Sequence, residues 1–332
     1  MMNFKKELLR ITSQFFEEVP DYSSALKEYK QLLLCISNKT INNEEYRNNV
    51  QLENGVAIGT LWAANCLDDL ERTLKFIKGI DIAIQEKIQQ KDSLHILYAG
   101  TGPFASLILP FILKYADFNI TYTLLEINPL SFETLKSTIV KLGLETNNIN
   151  FVNKDATKYK VLKNFSPDII VSETMQRALD SEQQVSVFYN LMKQTTSDTI
   201  FIPEKITLFI GTSSYKNSKP DTQQKYYRQH HKIFEVSKKV MSSNDWLFNK
   251  TTTKFNFPKK QTILKNEELF TAKEIVVMTE ITIYKGEKLF VNDSGLTAPK
   301  YIKDISNNKK ERLIIESQYV IGSEPKLELK IV

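Results

Sequence analysis

The sequence predicts an α/β chain whose mostly parallel sheet is preceded by helices and followed by a β-rich region. Three observations carry that prediction. Short apolar runs alternate with helix-length stretches between residues 93 and 203, the pattern of βαβ units. The first run ends in a glycine turn, Gly100-Thr101-Gly102-Pro103. Beyond Pro203 the apolar runs are separated by turn residues, without helices between them. The expected division is a helical segment over residues 1–90, a parallel-sheet domain over 91–203 and a β-rich domain over 204–332.

In chain order, Phe4, Leu8, Leu9, Ile11, Phe15 and Phe16 recur at helical spacing. Leu61, Ala64, Leu67, Leu70, Leu74, Ile77 and Ile80 form one stripe, predicting a single helix over 59–90, with Gly55 and Gly59 breaking the pattern near its start. Leu94-His95-Ile96-Leu97-Tyr98-Ala99 is the first strand. A helix follows over 106–114, which Pro110 is expected to kink. A second strand over 120–125 ends at Glu126, and a helix over 130–142 is closed by Gly143. The third strand, 149–152, is followed by Asp155; the fourth is Asp168-Ile169-Ile170-Val171; a helix over 182–192 and a fifth strand over 199–202 complete the region. Strands are then expected at 206–210, 275–284, 288–291, 312–315 and 327–332. The polar stretch 213–260 is too long for a plain loop and is expected to have structure of its own.

Composition narrows the function classes. With 42% hydrophobic and 25% charged residues, the 332-residue chain reads as an ordinary globular protein of about two domains. It contains no run of about 18 apolar residues, so no membrane span is expected. Its N-terminus lacks the apolar core of a signal peptide, and Cys35 and Cys66 read as reduced thiols in a cytoplasmic protein. The net charge of +5 is too modest to argue for nucleic acid. Three histidines and two scattered cysteines have no metal-ligand spacing, and no nucleophile motif accompanies them.

The candidate site residues cluster after the strands. Gly100 and Gly102 permit a tight turn and close approach of a ligand to the backbone, beyond the carboxyl ends of the strands. Glu126 ends the second strand, where a carboxylate can accept hydrogen bonds from a ribose diol or stand as a solvated charge. Asp155 lies where an adenine ring would sit, or caps a turn. Glu173 and Glu182, nine residues apart in the loop after the fourth strand, can form a pincer for a planar cation. The alternatives are a ligand-free strand-end carboxylate for Glu173 and a helix N-terminal charge for Glu182.

These passages resemble the class I S-adenosylmethionine-dependent methyltransferases. Gly-Thr-Gly-Pro-Phe lacks the third glycine of the dinucleotide-binding Gly-x-Gly-x-x-Gly. Within that superfamily the chain is most similar to the protein arginine methyltransferases. The resemblance rests on Asp69-Leu70-Glu71-Arg72-Thr73, on residues 96–104 with Tyr98 where an acid often stands, on the two-glutamate loop 168–182 with its nine-residue spacing, and on Phe201-Ile202-Pro203 followed by Thr207-Leu208-Phe209. It implies a Rossmann-like class I methyltransferase domain with N-terminal helices and a C-terminal β-barrel-like domain for substrate and dimerisation. It implies S-adenosyl-L-methionine as cofactor, held by Arg72 (on the methionine carboxylate), Gly100, Thr101, Gly102, Glu126 and Asp155, with Met175 lining the methyl-transfer pocket. Glu173 and Glu182 would be the catalytic pair on a guanidinium, and an arm within 213–260 would support a homodimer.

Departures from the family shape the expectation. Thr174 and Gln176 replace the usual second and fourth residues of the loop, and no Thr-His-Trp loop follows His231. A small guanidino compound such as free arginine is then as plausible an acceptor as a peptide. A non-guanidino small molecule is the alternative acceptor, and a catalytically idle cofactor-binding partner subunit is the alternative of another class. Ser172-Glu173-Thr174-Met175 stands where nucleic-acid amino-methyltransferases carry Asn/Asp-Pro-Pro-Tyr/Phe, so a base is not expected as substrate. The basic, aromatic run 225–232 reads better as a solvated face than as a phosphate contact.

Overall fold

The structure is a computed structural model and describes residues 3–17, 21–37, 43–145, 148–162, 165–215, 225–241, 247–248 and 255–332. The first helices, α1 (Phe4–Ser13) and α2 (Tyr22–Ile36), start at side-chain caps: Asn3 accepts from the Lys6 amide at 3.0 Å and Asp21 from the Ser24 amide at 3.1 Å. Leu8, Ile11, Tyr29 and Leu33 bury their shared face, whereas Leu9 points outward.

The segment 1–90 is not wholly helical. A hairpin of β1 (Val50–Leu52) and β2 (Gly55–Ala57) interrupts it. Distant residues hold this hairpin: the Val56 amide donates to the Ser181 carbonyl at 2.9 Å, and Val56 bridges Glu182 in parallel. Gly55 has φ 126°, and a Cβ there would stand 2.8 Å from the Ser181 oxygen, so the close approach requires glycine. The single helix expected over 59–90 is instead α3 (Thr60–Asn65), a 3₁₀ turn (Cys66–Asp68) and α4 (Leu70–Ile88). The apolar stripe runs through the break, but Asp69 caps the Arg72 amide at 3.1 Å and starts a new helix.

Five parallel strands follow: β3 (Ser93–Ala99), β4 (Asn119–Leu125), β5 (Ile149–Val152), β6 (Ile169–Ser172) and β7 (Ile200–Ile202), in the order β5-β4-β3-β6-β7. Ile96, Leu97, Ile169, Ile170 and Val171 are fully buried, as expected of a sheet covered on both faces. The covering helices include α5 (Leu109–Lys114), α6 (Pro129–Lys141) and α7 (Gln184–Met192). Pro110 does not kink α5: the helix begins at Leu109, and proline fits the first turn because its missing N–H has no partner to lose there. Strand order reverses between β3 and β6, which opens a crevice beyond their carboxyl ends. This is a Rossmann-like arrangement.

The remaining strands form two five-stranded antiparallel sheets. In the first, β8 (Lys205–Tyr215) lies between β9 (Lys225–Ser237) and β13 (Glu274–Tyr284), and β14 (Glu287–Leu289) and β15 (Lys300–Asp304) pair with β13. In the second, β16 (Arg312–Ile321) pairs with β11 (Phe255–Asn256), β12 (Lys260–Lys265) and β17 (Lys326–Ile331), and β10 (Leu247–Phe248) pairs with β11. Phe234 of the first sheet stacks on Tyr319 of the second, with ring centres 4.5 Å apart. No ladder joins the sheets among the described residues, so the barrel-like domain expected from sequence is here two sheets meeting through side chains. The stretch 213–260 holds β9; its residues 216–224, 242–246 and 249–254, and with them part of the expected arm, lie outside the described residues. Among the described residues, no helix is long and apolar enough to cross a membrane.

Candidate active site

A cavity of about 910 Å³, counting its open mouth, lies at the carboxyl edge of the parallel sheet. Four of the five strand ends contribute to its floor: Tyr98 and Gly100 to Gly102 at β3, Leu125 to Ile127 at β4, Lys154 and Ala156 after β5, and Glu173 to Met175 after β6. The roof comes from the β1–β2 hairpin, from Ala63 and Cys66, from Arg72 on α4, and from Glu182, Gln183 and Val187 at the start of α7. Leu296, from the β-rich region, completes the wall.

The glycine turn is shaped by close contact. Gly100 has φ 78°, and a Cβ there would lie 2.2 Å from Thr174 Cγ2. Gly102 has φ 60°, and its amide donates to Glu126 Oε2 at 2.7 Å. Glu126 Oε1 accepts from the Asn128 amide at 2.8 Å. Backbone donors therefore engage both oxygens of this buried carboxylate, whose pKa burial pushes up. Glu126 braces the turn as well as facing the cavity.

The remaining expected residues meet, with one exception. Arg72 is buried, forms an ion pair with Glu173 through Nη2 and donates from Nη1 to the Cys66 carbonyl at 3.0 Å. Its Nε has no partner among the described residues. Asp68 pairs with Lys30 at 2.6 Å, and Asp69 is the cap of α4. Glu182 is buried and its pKa is raised to about 7, because loss of solvent outweighs a hydrogen bond with Gln176 and the Arg72 charge. Met175 is buried against the cavity, and Thr101 lines it. Asp155 is the exception. Its Oδ1 accepts from the Thr157 amide at 2.8 Å, a turn cap, while its neighbours Lys154 and Ala156 line the cavity.

Several cavity residues escaped the sequence reading. The hairpin residues Val56, Ala57 and Ile58 carry no local signal. Leu296 follows the Asn-Asp-Ser-Gly turn, which marked a loop but not its destination. Gln184, behind the cavity wall two positions after Glu182, joins the two glutamate-bearing segments: its Oε1 accepts from the Thr174 amide at 2.9 Å and its backbone N–H donates to the Thr174 carbonyl at 3.0 Å. Adjacency to Glu182 was the available clue for Gln183 and Gln184.

No protein-family model matches the chain, and no curated protein matches it. Among solved structures, the Trypanosoma brucei PRMT1 enzyme–prozyme heterotetrameric complex with AdoHcy is similar over 81% of this chain and 96% of that chain, at 10% identity and a TM-score of 0.48.

Proposed function

We propose that the chain is an S-adenosylmethionine-dependent N-methyltransferase acting on a guanidino group, in free arginine, a related small compound or a peptide. The observation that carries this reading is the convergence of Glu173 and Glu182 on one cavity at the carboxyl edge of a parallel sheet, with a guanidinium, that of Arg72, already paired to one of them. A carboxylate that holds one guanidinium in this cavity has the chemistry to hold another.

The cavity's residues fit the cofactor. Arg72 lines it with an unpartnered buried Nε, suited to a carboxylate. Gly100 and Gly102 leave the backbone bare for close approach, and Thr101 and Glu126 offer polar atoms between them. Met175 lines the same space. When bound, S-adenosylmethionine supplies a methyl group on a positively charged sulfur.

A guanidinium arrives protonated, since its pKa lies above about 12. Glu173 and Glu182 accept N–H bonds from its planar fork and fix its orientation. They draw positive charge toward the nitrogens they contact and leave the remaining nitrogen richer in electrons. Glu182, with its pKa near 7, exists in both forms at neutral pH and takes the proton that the reacting nitrogen gives up. Burial of both carboxylates strengthens these interactions.

The test is incubation of the protein with labelled S-adenosylmethionine and a panel of free arginine, small guanidino acids and arginine peptides, read by mass spectrometry. Label on a guanidino nitrogen is the expected result. Transfer only to other nitrogen or oxygen acceptors would replace the guanidino reading with the broader small-molecule one. Tight cofactor binding without transfer to any acceptor would sink the enzymatic reading.

A further inference from the structure

We infer that Gln183 reads the adenine edge of the bound cofactor, a role that rests on the function proposed above. Gln183 is 5% exposed and lines the cavity, yet its Nε2 has no partner among the described residues. A buried amide donor without an acceptor is destabilising, so its place in a cavity wall points to a ligand atom.

The surroundings identify the ligand's chemistry. Gln183 stands one turn before Val187, whose amide donates to the Gln183 carbonyl at 2.9 Å. One turn further on, Asn190 Nδ2 donates to the carbonyls of Ala156 and Tyr159, each at 2.8 Å. The later part of α7 therefore lies against the segment that follows β5. The hairpin closes the other side: a Cβ on Gly55 would sit 3.2 Å from Gln183 Cγ. Val56, Ala156 and Val187 give the cavity apolar surface, with Lys154 and Glu182 lining it beside them.

A cavity wall that sets a buried carboxamide among apolar side chains suits a flat heterocycle that presents a donor beside an acceptor. Adenine does so, with its exocyclic amine next to a ring nitrogen; glutamine matches the pair, accepting through Oε1 and donating through Nε2. The one acid of the neighbouring segment, Asp155, does not line the cavity: its Oδ1 accepts from the Thr157 amide at 2.8 Å, and Thr157 Oγ1 accepts from Asn54 Nδ2 at 3.2 Å.

The experiment compares the wild-type protein with Gln183→Met by titration calorimetry, using S-adenosylhomocysteine and its 6-deamino (purine riboside) analogue. Methionine keeps the side chain's length and removes both polar atoms. The wild type is expected to bind the deamino analogue roughly 10-fold more weakly, the loss of one good contact of a bidentate pair. Gln183→Met is expected to weaken S-adenosylhomocysteine binding by a similar factor and to bring the ratio between the two ligands close to one. Without ligand the variant should melt no lower than the wild type, because an unpaired donor has been removed. Equal wild-type affinity for the two ligands, or a variant that keeps the preference, overturns the inference and leaves the proposed function standing. A ligand-free variant that melts well below the wild type overturns it too, since the amide would then have a structural partner. Failure of the wild type to bind S-adenosylhomocysteine at all removes the cofactor reading and this inference together.

Discussion

Glu173 and Glu182 line one cavity from two different elements, and their surroundings differ. Glu173 directly follows β6, a fully buried strand, and meets the Arg72 guanidinium in an ion pair. Glu182 stands just before α7, where the hydrogen bond from Gln176 and the Arg72 charge do not offset its burial, and its pKa rises to about 7. The same side chain thus has two characters. One carboxylate has a fixed cationic partner and is suited to holding a cation in place. The other changes protonation near neutral pH and is suited to moving a proton. Pairs of carboxylates whose surroundings set them apart divide the work of an active site in this way.

The largest effect that would break this comparison is on turnover. Glu182→Gln keeps the shape and removes the proton acceptor. It should lower kcat roughly 100- to 10,000-fold, with affinity for S-adenosylhomocysteine nearly unchanged. Steady-state kinetics and calorimetry would check the pair of values, and a kcat within threefold of wild type would remove Glu182 from its role.

Next in size is the Arg72–Glu173 pair. Both side chains are almost fully buried, at 10% and 4% exposure. Removing one partner alone strands a charge in a dry site, which costs about 3–5 kcal/mol. Arg72→Met is expected to lose that much in urea unfolding at pH 7.5. The double variant Arg72→Met, Glu173→Met should recover most of it, because two apolar side chains replace a buried pair at little net cost. Additive losses would show that the two groups do not depend on each other.

Much of the charged end of the site was legible in the sequence because it is local. A glycine turn directly after a strand, and two glutamates in the loop after another, are adjacent in the text, and a parallel sheet brings all its strand ends to one edge. Closure of the site was not legible. The hairpin at residues 50–57 has three-residue strands that no periodicity marks, and it is held by Ser181 and Glu182, far along the chain. The break at Asp69 is hidden because Leu67, Leu70 and Leu74 continue the apolar stripe across it. Asp155 shows the opposite failure. Its position after a strand suggested a ligand contact, but its carboxylate satisfies its own turn.

The third effect is the pH dependence of stability, and its sign follows from Glu182. Its carboxyl titrates at about 7 in the folded chain against an ordinary value of 4.5. The neutral form is favoured by the fold, so this contribution to stability is complete below about pH 4.5 and is lost as the pH rises through about 7. Glu182→Gln, neutral throughout, should match the wild type below pH 4.5, gain on it between 4.5 and 7, and hold a constant advantage of up to about 3 kcal/mol above that. The wild-type kcat should rise as the pH passes through about 7 and the proton acceptor is freed. The turnover profile should have its midpoint near 7, and the stability difference between the two proteins should stop growing at about the same pH. A turnover midpoint near 4.5, with no pH-dependent stability difference between wild type and Glu182→Gln, would mean that Glu182 is solvated and no different from an ordinary carboxylate.

The smallest effect sharpens the comparison by touching one side of it alone. Asp69 Oδ1 caps α4 at the Arg72 amide, while Oδ2 accepts from Ser294 Oγ at 2.7 Å and from the Gly295 amide at 2.9 Å. One carboxylate therefore positions both the helix that carries Arg72 and the loop that carries Leu296 to the cavity wall. Asp69→Ala removes the cap and the two loop bonds, at a cost of about 1–2 kcal/mol because these groups can turn to water. Asp69→Asn should cost less, since asparagine caps nearly as well. Loosening the Leu296 wall should raise the acceptor KM several-fold and leave kcat close to wild type, because Glu182 is held from α7 and by the bridge to Val56 instead. The turnover midpoint near pH 7 should also stay where it is. If Asp69→Ala shifts that midpoint, the two glutamates share one environment, and the division of labour between them does not hold.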